Sequence, residues 1–152
     1  MEEPAQSDVA RLPPEVSALL AKYVENLIDR FGADLEGVAL FGSVARGEAK
    51  FPDSDIDVFL VVKRLEGISM GGRIDLHADV ETTLSRSEEW TAFREKHRWS
   101  PTFSPYILTP DEIKRHPPIM LDLATDAVIL FDRGLLREEI NVLQSRLKEL
   151  GA

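Results

Sequence analysis

Two aspartates, Asp55 and Asp57, stand two positions apart in the stretch "SDIDVFLVV", at the start of an otherwise apolar run. Side chains of a strand alternate between the two faces of a sheet, so both carboxylates project from one face, about 6.5–7 Å apart along the backbone. Two carboxylates this close repel each other, and burying them unpaired is costly. A divalent cation between them removes both costs, and hard oxygen ligands favour Mg²⁺ or Mn²⁺. Asp55 and Asp57 are therefore the predicted metal ligands and catalytic residues.

A glycine-serine break, Gly42-Ser43, precedes Asp55 by thirteen residues. Because Gly42 has no side chain, a phosphate can approach its backbone closely. The Ser43 hydroxyl is a donor, and free N–H groups at the start of the next helix add an anion site. Arg46 lies one turn further on, where it pairs with a phosphate or holds one of the aspartates. Gly42, Ser43 and Arg46 are the predicted nucleotide-binding residues, and the triphosphate would meet the metal in one site.

Each of these features also has a simpler explanation. A Gly-Ser pair is often only a strand-to-helix turn with a serine cap. Ser54-Asp55 before a strand is also ordinary turn chemistry, and Arg46 fits a solvated helix position. Their joint order, on a strand, a turn, a helix, a turn and a second strand, favours a functional site over three separate coincidences.

The flanking sequence predicts the elements that position these residues. Apolar residues at helical spacing follow a double proline and end before Gly32, which predicts a helix over Pro14 to Phe31. From 71 to 97 a helix is favoured, although the alternation over 74–80 also suits a strand. The remaining predictions are strands at 38–41, 56–62, 103–109 and 127–131, and helices at 44–48, from 110 through 126, and at 135–150. This order indicates an α/β (α+β) fold with a small mixed β-sheet flanked by helices.

Composition and charge exclude several classes of protein. The chain has 152 residues, no cysteine and a net charge of −9, so disulfides and thiolate catalysis are excluded. One domain is expected over 1–152, with 1–12 as a flexible N-terminal tail. No signal sequence and no apolar run of roughly 20 residues are visible, which predicts a cytoplasmic protein without membrane association. The acidic charge argues against avid nucleic-acid binding and suits a protein partner.

The pattern "GSVARG" followed by "SDIDV" resembles the nucleotidyltransferase superfamily typified by DNA polymerase beta and kanamycin nucleotidyltransferase. It is most similar to the minimal nucleotidyltransferases found beside HEPN-domain proteins in prokaryotes. The resemblance implies a mixed sheet flanked by helices and transfer of a nucleoside monophosphate from a nucleoside triphosphate. It also implies two metal ions, with Ser43 at the phosphates and with Asp55 and Asp57 at the metals.

The sequence departs from this family at one catalytic position. Members usually carry a third carboxylate on a later strand, where it completes the metal site and can act as the base. The corresponding strand, "TFSPYILTP", contains no acid. Aligning its "LTP" with the family places the missing carboxylate at Tyr106, and Ser104 on the same face is the other candidate. The nearby acids Asp75, Asp79 and Glu81 are expected on the solvated face of a helix.

Two functions are consistent with a predicted nucleotide and metal site that lacks the third carboxylate. The first is a metal-dependent nucleotidyltransferase that modifies a protein or small molecule, with nucleoside triphosphate as its substrate. The second is a catalytically weak nucleotide-binding module that acts as the antitoxin-like partner of a HEPN-domain protein. The missing third carboxylate leaves both open.

Overall fold

The computed structural model describes residues 12–51 and 53–151. The predicted N-terminal tail therefore lies outside the described residues apart from Leu12, which is buried in the core, and Pro52 of the predicted turn lies outside them as well. The strands are β1 (Leu35–Phe41), β2 (Ile56–Val62), β3 (Phe103–Leu108) and β4 (Val128–Asp132). The helices are α1 (Pro14–Phe31), α2 (Gly42–Ala45), α3 (Met70–Leu84), α4 (Glu88–His97), α5 (Pro110–Lys114), α6 (Ile119–Asp126) and α7 (Leu135–Glu149).

The four strands form one mixed sheet in the order β3-β2-β1-β4. Strand β1 runs antiparallel to both of its neighbours, whereas β2 and β3 are parallel. This confirms the predicted mixed sheet flanked by helices. Within residues 12–51 and 53–151, no helix combines the length and the apolar character that crossing a lipid bilayer requires.

Alternation along β2 divides the apolar core into two layers. Val58 and Leu60 face a layer that includes α1, α3 and α4. Phe59 and Val61 face the opposite layer, which is built from α5, α6 and α7. Because side chains two positions apart share a face, Asp57 projects on the side of Phe59 and Val61. The site is thus at the edge of the second layer.

Two predicted helices are interrupted. The prediction of one helix over 71–97 was wrong, because α3 ends at Leu84 and α4 begins at Glu88. The Ser87 side chain accepts a hydrogen bond from the Trp90 N–H, which caps a new helix start. The predicted continuation from 110 to 126 is likewise two helices, since Pro117 and Pro118 separate α5 from α6.

A buried arginine fixes the end of β3, the strand beside the aspartates. Arg73 donates to both carboxylate oxygens of Glu112, at 2.7 and 3.1 Å, and to the carbonyl oxygen of Ile107 at 3.0 Å. The hydrogen bond from Arg73 lowers the pKa of Glu112 to about 2. Glu112 also completes a capping box with Thr109 at the start of α5.

The acids of α3 differ in their surroundings. Asp75 and Asp79 are exposed, as predicted, but Glu81 is only half exposed because it contacts the fully buried His77. Tyr23 Oη and His77 Nε2 are hydrogen-bonded at 2.5 Å, and burial raises the pKa of the Tyr23 hydroxyl. His77 Nδ1 is hydrogen-bonded to the Glu81 carboxylate at 2.7 Å. These groups connect α1 to α3 within the core.

Candidate active site

The glycine-serine break and the second aspartate of the pair lie against each other. Strand β1 ends at Phe41, which is paired with Asp57 of β2, so Gly42 begins directly beside Asp57. A Cβ atom built on Gly42 would lie 2.1 Å from Asp57 Oδ2, and Gly42 has a φ of +75°. Both the close approach and the positive φ require glycine at this position.

The two aspartates are without partners. Neither Asp55 nor Asp57 accepts a hydrogen bond or forms an ion pair with any residue in the part of the chain that the structure describes. Asp55 is exposed and Asp57 is half-buried. Burial, followed by repulsion from Asp55, raises the pKa of Asp57, and Arg46 opposes this shift. Two close, unpaired carboxylates on one face suit a hard divalent cation.

Ser43 presents an unused hydroxyl at the same turn. It is the second residue of α2, it is half-buried, and its hydroxyl has no hydrogen-bond partner among residues 12–51 and 53–151. The helix was predicted over 44–48 but spans only Gly42–Ala45. A single turn has a small dipole, so phosphate binding here would depend on the hydroxyl and on individual N–H groups rather than on a helix field.

Arg46 follows the last residue of α2 and is engaged by carboxylates other than the two aspartates. Its Nε donates to Glu48 at 2.9 Å, and its Nη1 donates to Asp126 at 3.2 Å. These contacts raise the pKa of Arg46. Arg46 makes no ion pair with Asp55 or Asp57 in the described part of the chain. The structure therefore gives no support to the predicted role of holding an aspartate, and phosphate binding is the predicted role that stays open.

The strand register separates the two candidate positions for the missing acid. In the parallel pair of β2 and β3, Asp57 is opposite Ser104, whereas Tyr106 is opposite Phe59. Adjacent strands are about 4.8 Å apart, so a carboxylate at position 104 would project beside Asp57 on the same face. The register therefore favours Ser104, the second of the two candidates, over Tyr106. Among the described residues, no group of three or more His, Asp or Glu side chains is arranged to hold a metal ion.

The sequence reasoning missed Asp126 as a neighbour of this site. It lies 80 residues from Arg46 in the chain, and no local pattern connects the two. Glu48 directly follows the motif "GSVARG" and is close to Arg46 in the sequence, although its contact with Arg46 depends on the turn after Ala45. The contact between Arg46 and Asp126 depends on tertiary packing, because α6 packs across the sheet and ends beside α2.

Gly42→Ala is expected to disrupt the site beyond its effect on the backbone. The added methyl would displace the Asp57 carboxylate, so MgATP affinity should fall more than tenfold, a loss above about 1.4 kcal/mol. Gly47→Ala is the matched control, because Gly47 has a φ of +74° and a Cβ there would meet nothing within 4 Å. Both variants should lose about 1–2 kcal/mol of folding stability through the positive φ. Titration calorimetry with MgATP that gave equal affinities for the two variants would contradict this.

Comparison with known proteins identifies the family of this chain. The nucleotidyltransferase domain family model matches residues 20–149. A Methanocaldococcus jannaschii protein named as a candidate protein adenylyltransferase is 27% identical over 117 residues, which cover 76% of this chain and 71% of that protein.

Two solved structures are similar to this chain. A candidate nucleotidyltransferase from Sulfolobus solfataricus superposes with a TM-score of 0.50 at 20% identity, covering 88% of this chain and 91% of that one. A chain from the complex of the tri-AMPylated Shewanella oneidensis HEPN toxin with MNT antitoxin gives a TM-score of 0.48 at 15% identity, covering 87% and 89%. The family match spans most of the chain, and the predicted superfamily is confirmed: this protein belongs to the nucleotidyltransferase domain family.

Proposed function

We propose that this protein transfers a nucleoside monophosphate, with ATP as donor, to a hydroxyl group of a protein acceptor. The observation that carries the proposal is the contact between the glycine-serine turn and the aspartate pair, since Gly42 lies directly against Asp57. The proposed phosphate-binding and metal-binding groups would therefore form one site.

Asp55 and Asp57 would hold a divalent ion, Mg²⁺ or Mn²⁺. The fit rests on their unpaired carboxylates and on the raised pKa of Asp57, which an adjacent positive charge would reverse. When bound, such an ion neutralises phosphate charge and supports displacement at the α-phosphorus.

The residues of the chain would position the reactants. Ser43 donates its hydroxyl to a phosphate oxygen, and Arg46 offers its unused N–H groups to the phosphates further from the nucleoside. The acceptor hydroxyl oxygen forms a bond to the α-phosphorus while the bond to the bridging oxygen breaks, and pyrophosphate leaves. The hydroxyl proton goes to solvent or to a base supplied by the acceptor, because Ser104 stands where a carboxylate would take it.

Two observations support a protein as acceptor. The relative from Methanocaldococcus jannaschii is named for adenylyl transfer to protein. The net charge of −9 also favours a basic protein surface over nucleic acid as partner. Among protein partners, a HEPN-domain protein is the first to test, since the motif resembles the small nucleotidyltransferases that occur beside such proteins.

The serine beside Asp57 favours a second candidate function. Without a third carboxylate, nucleotide binding can persist while transfer is slow, and the protein would then act as an antitoxin-like binding module for a HEPN-domain protein. This module would bind MgATP and its partner, yet leave both covalently unchanged.

Intact mass measurement distinguishes the two functions. The protein is incubated with MgATP and a HEPN-domain protein, and the intact mass of both chains is measured before and after. We expect the partner to gain whole adenylate units, and no gain when AMP replaces ATP. Binding of MgATP and of the partner without any gain in mass would favour the binding module, and failure to bind MgATP would contradict both.

A further inference from the structure

Arg46 is restrained by two carboxylates but keeps part of its hydrogen-bonding capacity. A guanidinium has five N–H donors. Here Nε is used by Glu48 and one Nη1 donor by Asp126. The Nη2 group has no hydrogen-bond partner among residues 12–51 and 53–151. The restrained side chain can therefore still donate to an oxyanion.

Asp126 comes from a different part of the fold than Arg46. It is the last residue of α6, a helix whose Met120 and Leu123 are buried in the apolar layer against the sheet. This packing fixes the end of the helix and hence the anchor for Arg46. Glu48, by contrast, belongs to the loop that follows α2.

Local energetics do not explain an aspartate at this position. A carboxylate at the carboxyl end of a helix meets the negative end of the helix dipole, which is unfavourable. The Arg46 side chain is 42% exposed and that of Asp126 is 22% exposed. An ion pair this accessible to solvent contributes little to folding stability. Positioning of Arg46 therefore explains an aspartate at position 126 better than a contribution to folding stability does.

The restrained Arg46 lies in the same turn as the proposed phosphate-binding residues and remains accessible. Its backbone N–H donates to the Gly42 carbonyl oxygen at 3.1 Å, and Ser43 is three residues before it in the chain. Arg46 and Asp126 also line a solvent-open cavity of about 500 Å³, whose lining includes Ala45 and Gly47 of the same turn but neither Asp55 nor Asp57. A ligand can reach the pair without unfolding any element.

We propose that Asp126 is a positioning residue that, together with Glu48, holds Arg46 so that its free Nη2 group meets the terminal phosphates of a nucleoside triphosphate. This inference rests on the proposed function. Fixing a long side chain before binding removes part of the ordering cost from the binding step, and this cost is about 0.5–1.5 kcal/mol for such a side chain, or about two- to tenfold in affinity.

The test compares ATP with AMP, each with Mg²⁺, by titration calorimetry. Asp126→Asn is expected to weaken binding of MgATP about two- to tenfold and to leave AMP affinity unchanged, because AMP lacks the terminal phosphates. Asp126→Glu keeps the carboxylate and should bind MgATP more tightly than Asp126→Asn does. Asp122→Asn is the matched control, since Asp122 is an exposed aspartate on the same helix and makes no ion pair in the described part of the chain.

A double mutant separates positioning from folding. In an Arg46→Gln background, Asp126→Asn should have no further effect on MgATP affinity, because its action passes through Arg46. Thermal unfolding of Asp126→Asn should be unchanged or shifted upward, as expected when an unfavourable charge leaves a helix end.

Three results would overturn the inference: unchanged or tighter MgATP binding by Asp126→Asn, an equal loss for AMP, or an equal loss in the Arg46→Gln background. Tighter binding would mean that Asp126 competes with phosphate for Arg46. If the unaltered protein does not bind MgATP at all, the proposed function fails and this inference fails with it. If the unaltered protein binds MgATP and Asp126→Asn binds it equally well, only the inference fails.

Discussion

Replacing Asp57 by asparagine is expected to abolish MgATP binding while making the protein without metal more stable. The carboxylate has no hydrogen-bond or ion-pair partner among the described residues, and its neighbour Asp55 repels it. Removing the charge therefore removes a metal ligand and a source of electrostatic strain together. Loss of ligand binding together with a gain in stability is the trade-off expected when a strained residue of a functional site is replaced.

The pH dependence of this gain has a defined sign. Burial and Asp55 raise the pKa of Asp57 in the folded protein above its ordinary value. The protonated form is thus favoured by folding, and this contribution is present at low pH and is lost as the pH rises through the raised pKa. The stability advantage of Asp57→Asn should be largest at neutral pH and should vanish below about pH 4, where the carboxyl of the unaltered protein is protonated as well.

Thermal unfolding with and without MgATP measures both effects. The unaltered protein should be stabilised by about 2.7 kcal/mol at a ligand concentration one hundred times its dissociation constant. Asp57→Asn, and the double variant Asp55→Asn with Asp57→Asn, should show no such response. Asp53→Asn is the control for a lost surface charge, because Asp53 is exposed in the preceding turn. A double variant that binds MgATP as tightly as the unaltered protein would place the site elsewhere.

Elements with strong local signals were predictable from the sequence. Helix α1 begins at Pro14 and ends before Gly32, as predicted, because proline and glycine mark both ends of a regular apolar stripe. Strand β2 was predicted with its observed limits, Ile56–Val62, because a continuous apolar run follows turn residues. These two elements flank the glycine-serine turn, and β2 itself carries Asp57, so the sequence already indicated that the motif forms one site.

Features that depend on tertiary contacts were not predictable in the same way. The register of β3 against β2 is set across a long crossover that contains α3 and α4, so the sequence alone left Tyr106 and Ser104 both open as the position beside Asp57. The end of α3 was hidden because polar, helix-compatible residues continue into α4. The contact between Arg46 and Asp126 joins residues 80 positions apart. Register and long-range pairing are properties of packing, which no short pattern encodes.

Restoring a carboxylate beside the aspartate pair is expected to increase transfer. Ser104 is exposed and lies opposite Asp57, so Ser104→Asp adds an acid on the same face without removing a core side chain. A positioned general base is typically worth about 10²–10⁴-fold in rate, and this is the gain we expect at nearly unchanged nucleotide affinity. The measurement is the rate of pyrophosphate release from MgATP, with water or the HEPN-domain protein as acceptor.

Two matched variants assign the gain to the carboxylate and to its position. Ser104→Asn has nearly the shape of the aspartate but no charge, and it should leave the rate unchanged. Tyr106→Asp places the acid opposite Phe59, one step further along the sheet, where it also removes a ring that lies 6.1 Å from that of Phe59. It should not raise the rate.

The new charge should also make Ser104→Asp less stable than the unaltered protein without metal, through repulsion with Asp57, and Mg²⁺ should reverse this loss. Rapid transfer by the unaltered protein, with no response to either position, would mean that the base comes from another residue or from the partner, and that the third carboxylate is dispensable here.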